Sequence, residues 1–194
     1  MWACTYVLVE YRRASEQDTE SIAAIHADSW RRNYRGAYSD AFLDGDAFDD
    51  RRAVWTERLK QPNPLHDTVV AEWQGKLVGF VHTILDHDPM WGALLDNLHV
   101  AEEVKRRGVG TQLMARSAVA VMARGTHKSL YLMVLEGNAS AQAFYDARGG
   151  ECVGSEVSVP AGGGSIVGLR YVWTDPSVLL RAPWPRRRQP RDRR

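Results

Sequence analysis

Lys105-Arg106-Arg107-Gly108-Val109-Gly110-Thr111 is the segment of this 194-residue chain whose residue types and spacing point most directly to chemistry. It follows an apolar run from Leu94 to Val100. It precedes Leu113, Met114, Ala118, Val121 and Met122, whose spacing predicts a helix that stops at Gly125. A loop that leaves a strand and enters a helix presents unpaired backbone N–H groups and the positive end of the helix dipole, so it can hold an anion. Gly108 and Gly110 let phosphate oxygens approach the backbone, and the three cations add charge. The pyrophosphate of a nucleotide cofactor fits this chemistry; a solvated basic turn is the alternative. An ATP-binding P-loop is disfavoured because Thr111-Gln112 follows Gly110 where Lys-Ser or Lys-Thr is required. A dinucleotide fingerprint fails because Leu113 stands at the third glycine position.

The elements that must position this loop are legible in the pattern. Tyr6 to Tyr11 predicts a first strand. Ser15 and Asp18 precede a helical series through Ile22, Ile25, His26 and Trp30. Phe42, Phe48, Val54, Trp55 and Leu59 predict one or two short helices separated at Asp44 to Asp46. Thr68 to Trp73 and Lys76 to Val81 form a hairpin through Gln74-Gly75. After it, His82, Asp86, His87 and Asp88 read as a polar loop. Ser129 to Leu135 is a strand, Ala139 to Arg148 a helix, and Cys152 to Val159 and Ile166 to Trp173 two final strands. This order is α/β (α+β), with a sheet covered by helices. Residues 1–176 read as one domain and 177–194 as a disordered basic Pro/Arg-rich tail.

Composition narrows the function classes. The formal net charge is +1, but 181–194 holds seven arginines and one aspartate, so the preceding residues sum to −5. An electrostatically driven nucleic-acid or membrane binder is not expected of the body, and a nucleic-acid contact by the tail is disfavoured. No apolar run approaches a membrane span, and the absence of a secretory pattern predicts a cytoplasmic protein. Cys4 and Cys152 read as free thiols, and the six histidines show no metal-binding spacing, so no metal is expected.

Val100 followed by Lys105 to Thr111 resembles the acyl-CoA-binding motif, Gln/Arg-x-x-Gly-x-Gly/Ala, of the GNAT superfamily of N-acetyltransferases. Lys105 stands where glutamine or arginine is commoner. Leu135 to Gly149, with Asn138 at a strand end and Phe144-Tyr145 one helix later, is similar to the family's second motif. Arg12-Arg13-Ala14, Ser29-Trp30 and Tyr34-Arg35-Gly36 resemble the start of many members. The resemblance covers about 7–173. One departure is Gly149-Gly150 where Gly-Phe is common, which removes an aromatic contact and predicts a looser turn.

The resemblance implies the GNAT fold: a central mixed sheet of six to seven strands flanked by helices, with two parallel strands splayed to form the acyl-CoA site. It implies that Leu98, His99 and Val100 line the pantetheine arm, with the Val100 N–H on the thioester carbonyl. Lys105, Arg106, Arg107, Gly108, Val109, Gly110 and Thr111 then cradle the pyrophosphate, Asn138 bonds the pantetheine amides, and Tyr145 acts as general acid toward the leaving thiolate. Asp96, His99, Glu136 and water remain open as general base. Strand alternation predicts that Asp96 and His99 face opposite sides.

Trp30, Tyr34, Tyr38 and Phe42 are expected to form an apolar acceptor wall, and Asp40, Asp44, Asp46, Asp49 and Asp50 an acidic approach that attracts an amine. The leading expectation is acetyl transfer from acetyl-CoA to a primary amine by direct attack in a ternary complex. The acceptor is a small molecule or a peptide amine, a protein amino terminus or lysine being the runner-up. A non-catalytic acyl-CoA-binding module is the rival class, and the resemblance also allows a homodimer.

Overall fold

The computed structural model describes residues 8–61, 63–159 and 165–181. Strand β1 (Val9–Arg13) opens a seven-stranded sheet in the order β1-β2-β3-β4-β5-β7-β6. The strands are β2 (His66–Trp73), β3 (Lys76–Asp88), β4 (Gly92–Val100), β5 (Leu130–Leu135), β6 (Glu151–Ser158) and β7 (Ile166–Trp173). Neighbours are antiparallel except β4 and β5, which run parallel.

Among the described residues five helices flank the sheet: α1 (Thr19–Asn33), α2 (Asp40–Asp44), α3 (Ala47–Lys60), α4 (Val109–Arg124) and α5 (Ala139–Asp146). Asp18 serves two purposes at the entry to α1. Its carboxylate takes the Ser15 N–H at 2.8 Å and both terminal nitrogens of Arg12 at 2.8 Å, which ties the helix to β1. Ile22, Ala23 and Trp55 from α1 and α3 bury against Val70 and Phe80 on one face of the sheet. Leu113, Met114, Ala118 and Val121 of α4, with Tyr145 of α5, bury on the other against Val81, Leu95, Leu132 and Tyr171. Each face thus carries its own apolar layer, which is how alternating strand residues hold a two-sided core.

Four expectations need correction. The part of the first predicted strand before Leu8 lies outside the described residues, and β1 starts at Val9 and runs two residues further than Tyr11. The polar loop at His82 to Asp88 is the second half of β3, where His82 is only 1% exposed and hydrogen-bonded through Nδ1 to Thr68 at 2.7 Å. The folded part does not stop at 176. Pro176–Leu180 forms a 3-10 turn in which Leu179, 3% exposed, joins the core on the α4 side; one buried leucine is too short a signal to show as periodicity. The rest of the tail, like Cys4, lies outside the described residues.

The Gly149-Gly150 turn, finally, is tightly packed. A Cβ on Gly150 would come within 2.5 Å of the Trp173 indole, whose Nε1 donates to Arg148 O at 2.9 Å. The missing aromatic contact is supplied from β7 by Trp173.

Candidate active site: the cleft between β4 and β5

The parallel pair is joined only at its start, Ala93 to Leu130 and Leu94 to Tyr131. Beyond Leu94 the strands diverge, while β4 stays paired to β3 as far as Val100 and β5 to β7 as far as Leu135. The splay expected from the resemblance is therefore present.

Backbone polarity follows from neighbouring bonds. Ala101 N–H donates to Val78 O at 2.8 Å, and the His99 carbonyl lies against Gly79, so both point toward β3. Amides alternate along a strand, which turns the N–H and C=O groups of Leu98 and Val100 into the opening. An extended chain with amide groups can add there as an extra strand.

The carboxyl end of β4 leads through a short 3-10 turn, Glu102–Val104, into the glycine loop. Gly108 caps α4 at φ +84°, a left-handed conformation unfavourable for other residues, and nothing would meet a Cβ there within 4 Å. Glycine is required there by backbone conformation, and the space beside it is open. The first bond of α4 runs from Gln112 N–H to Gly108 O at 3.0 Å, so the N–H groups of Val109, Gly110 and Thr111 precede the helical ladder. Residues and space thus fit a phosphate-bearing ligand, the chemistry of coenzyme A.

The three cations do not converge as expected. Lys105 Nζ lies 2.6 Å from Glu102, which Arg32 also engages at 3.0 Å. The Arg107 guanidinium sits 5.4 Å from the Trp73 ring centroid, over the β2–β3 turn. Arg106 is exposed at φ +60°, with no ion pair among the described residues. Sequence reasoning missed Arg148, which follows α5 and reaches the start of α4, where its Nε donates to Thr111 Oγ1 at 3.1 Å. No local pattern signals it, because it requires the contact between α4 and α5.

Asn138 caps α5, its Oδ1 accepting from Ala141 N–H at 3.1 Å. The carbonyl oxygen is committed to the helix, leaving the Nδ2 donors for a ligand. Tyr145 is 8% exposed and packs between Phe144, Tyr171 and Trp173. Its hydroxyl makes no hydrogen bond to a described residue. Burial, and then the Tyr34 phenol, push its titration well above the ordinary tyrosine value, so it is protonated at neutral pH. Tyr34 follows α1, which packs on the opposite face of the sheet from α5. Burial likewise raises Tyr34, to about 12.

On the α1 side the base candidates are arranged differently from the strand-alternation expectation. Leu95 faces Thr83 and Asn97 faces His82, so Asp96 is the extra residue of a β-bulge. Asp96 and Asn97 both reach Arg58 Nη1, at 2.7 and 3.1 Å, and His99 Nδ1 bonds Ser29 Oγ at 2.8 Å. Asp96 and His99 therefore share one face, because the bulge shifts the alternation by one. His99 is 8% exposed, and burial lowers its pKa to about 4, against a small opposing effect of Asp96. Glu136 is exposed at the end of β5.

The aromatic wall forms, with Trp30 ring centroids 5.7 Å from Tyr34, 4.9 Å from Tyr38 and 6.2 Å from Phe42. The acidic approach is largely neutralised. Arg35 holds Asp40 at 2.7 Å and Asp44 at 2.5 Å, Arg51 holds Asp50 at 2.5 Å, and Arg52 holds Asp49 at 3.0 Å. Arg35 from the turn before α2, and Arg51 and Arg52 from α3 itself, offset the field that a count of aspartates suggested. Among the described residues there is no group of three or more potential metal ligands, and no helix is long and apolar enough to cross a membrane.

An α/β sheet opened between two parallel strands, with a glycine-capped helix at the mouth and a buried phenol within reach of the opening, defines a class of acyl-CoA-dependent transferase. Residues 20–150 match the model of the acetyltransferase (GNAT) family, and the chain belongs to that family of enzymes. It is 29% identical over 178 residues to the uncharacterized N-acetyltransferase YuaI of Bacillus subtilis, covering 89% of this chain and 96% of that protein. Its fold is similar to that of the PaiA N-acetyltransferase from Thermoplasma acidophilum in complex with coenzyme A, with TM-score 0.65 and 19% identity, covering 86% of this chain and 99% of that one. A GCN5-related N-acetyltransferase from Rhodopseudomonas palustris gives TM-score 0.66 at 22% identity, covering 87% and 97%.

Proposed function

We propose that this enzyme transfers the acetyl group of acetyl-CoA to a primary amine by direct attack in a ternary complex. The observation that supports the reading is the divergence of β4 and β5 after Leu94, with the glycine-capped start of α4 following β4 and α5, which carries Tyr145, following β5. Acetyl-CoA supplies an activated thioester there. The N–H and C=O groups of Leu98 and Val100 bind the pantetheine arm as an added strand, with His99 between them on β4. The Val100 N–H polarises the thioester carbonyl. Lys105 to Thr111 surround the pyrophosphate, where the backbone of Gly108 to Thr111 contributes more than the side chains of Lys105 and Arg107. Asn138 Nδ2 donates to a pantetheine carbonyl.

Tyr145 Oη donates a proton to the leaving sulfur, for which a phenol held protonated at neutral pH is suited. The amine approaches from the α1 face, past Trp30, Tyr34 and Tyr38. Its attacking form is the free base, and Asp96 and His99 are the titratable groups that the bulge brings to that face. With the acidic approach neutralised, the aromatic wall favours an amine with an apolar body.

A calorimetric titration with acetyl-CoA, followed by release of free CoA thiol across a panel of small amines and peptides, tests this. Micromolar binding and turnover of at least one amine are expected. No cofactor binding overturns the reading, and binding without turnover across the panel favours a sensor. Peptides outperforming every small amine would make protein the acceptor.

A further inference from the structure

We propose that Arg148 is a phosphate-binding residue of the cofactor site, completing with the start of α4 a composite site for a phosphate group of coenzyme A. The inference rests on the cofactor reading above. Its guanidinium is fixed by four contacts: Nε and Nη2 donate to Thr111 Oγ1 at 3.1 and 2.5 Å, Nη1 donates to Phe144 O at 2.8 Å, and the Phe144 ring lies 3.5 Å from Cζ. None of these partners is anionic. No carboxylate of the described residues lies within salt-bridge distance, and burial without a counter-charge lowers the affinity of Arg148 for its proton, opposed only by Tyr145.

The half-buried Arg148 cation loses solvation and meets the positive end of the α4 dipole, with its bond to Phe144 O at the C-terminal turn of α5 as the one favourable dipole contact. An anion bound between Arg148 and the start of α4 compensates both effects, and Thr111, whose hydroxyl Arg148 holds, also carries one of the amides preceding the α4 ladder. The need for such a cation follows from the loop itself. Lys105 is paired with Glu102 and Arg107 packs on Trp73, which leaves Arg106 as the loop's cation free of these contacts for a ligand bearing several phosphate charges. Arg148 is preorganised where the loop side chains are diverted. Its planar fork also retains N–H groups suited to a phosphate oxygen.

The test compares donors that differ in phosphate. Binding of CoA and dephospho-CoA is measured by calorimetry, and S-acetylpantetheine is used as a phosphate-free donor in steady-state assays. Wild type, Arg148→Gln and Arg148→Lys are compared, with melting temperature as a check on folding. Arg148→Gln should weaken CoA about 10- to 100-fold, with Arg148→Lys intermediate and kcat/KM for S-acetylpantetheine unchanged. A loss retained with dephospho-CoA assigns the contact to the pyrophosphate. A loss confined to CoA assigns it to the 3′-phosphate.

An equal loss with the phosphate-free donor makes Arg148 a packing residue and overturns the proposal, as does unchanged CoA affinity in Arg148→Gln. If Arg148→Gln does not fold, Arg148→Lys decides alone, since a phosphate role weakens CoA and spares S-acetylpantetheine. Failure of the wild type to bind CoA would sink the cofactor reading itself.

Discussion

The two ends of the β4–β5 cleft are built on different principles. At the mouth, the proposed recognition rests on backbone: the amides before the α4 ladder, a left-handed Gly108, and the N–H groups of Val100 and Leu98. At the inner end it is carried by side chains that the fold buries: Tyr145, Tyr34 and His99, each with a displaced titration. A backbone site tolerates side-chain changes and fails when conformation is lost. A side-chain site depends on individual atoms, and its properties depend on burial. The sharpest break between the two ends is therefore Tyr145→Phe, which keeps the ring packing against Tyr171 and Trp173 and removes only the hydroxyl. Loss of a general acid should lower kcat about 10²- to 10⁴-fold while the CoA dissociation constant stays within about twofold. A rate unchanged by the substitution would remove Tyr145 from catalysis.

Buried histidines, His99 on β4 and His82 on β3, also predict a pH dependence of stability that the backbone groups of the mouth do not share. Burial holds His99 at about 4 and His82 at about 3, against about 6.5 in the unfolded chain. Between these values the unfolded chain binds more protons. Stability is therefore full above about pH 6.5 and is lost as pH falls, until about 4 for His99 and 3 for His82. The slope is about 1.4 kcal/mol per pH unit for each buried histidine. Denaturant unfolding from pH 7 to 4.5 checks this, and His99→Gln should remove one histidine's share of the slope. An unchanged slope would mean that His99 is protonated in the folded protein.

How much of this was legible in the sequence follows from the same contrast. The mouth is local: a strand, a turn and two glycines within a dozen residues, so both the loop and α4 were readable from Val100 to Gly125. The inner end depends on tertiary geometry. Asp96 and His99 share a face only because β4 slips by one residue against β3, and nothing in Leu-Asp-Asn-Leu-His announces a bulge. Arg148 looked like the last residue of a helix until α5 was seen against Thr111. The aspartates of the second and third helices looked like a field because the pairs of Arg35 with Asp40 and Asp44, and of Arg52 with Asp49, form only once the chain folds there.

If conformation governs the mouth, Gly108→Val should damage it more than removal of any one loop charge. A β-branched residue held near φ +84° costs about 1–2 kcal/mol, and escape from that conformation turns the following amides away. The expected result is a CoA dissociation constant raised about tenfold with kcat changed little at saturating cofactor.

Lys105→Gln is the complementary and mildest substitution. The sequence motif singles out this position, but the structure commits its charge to an exposed pair with Glu102, of the solvent-screened kind that contributes little. Arg32 already engages Glu102, so removing Lys105 leaves no unpaired carboxylate behind, and the lost charge sits at an exposed position where solvent and salt screen it. CoA affinity should fall by no more than about threefold, with a slightly weaker dependence on salt, measured between low and physiological ionic strength. A larger loss would mean that Lys105 leaves Glu102 when the cofactor binds, making the mouth a side-chain site as well.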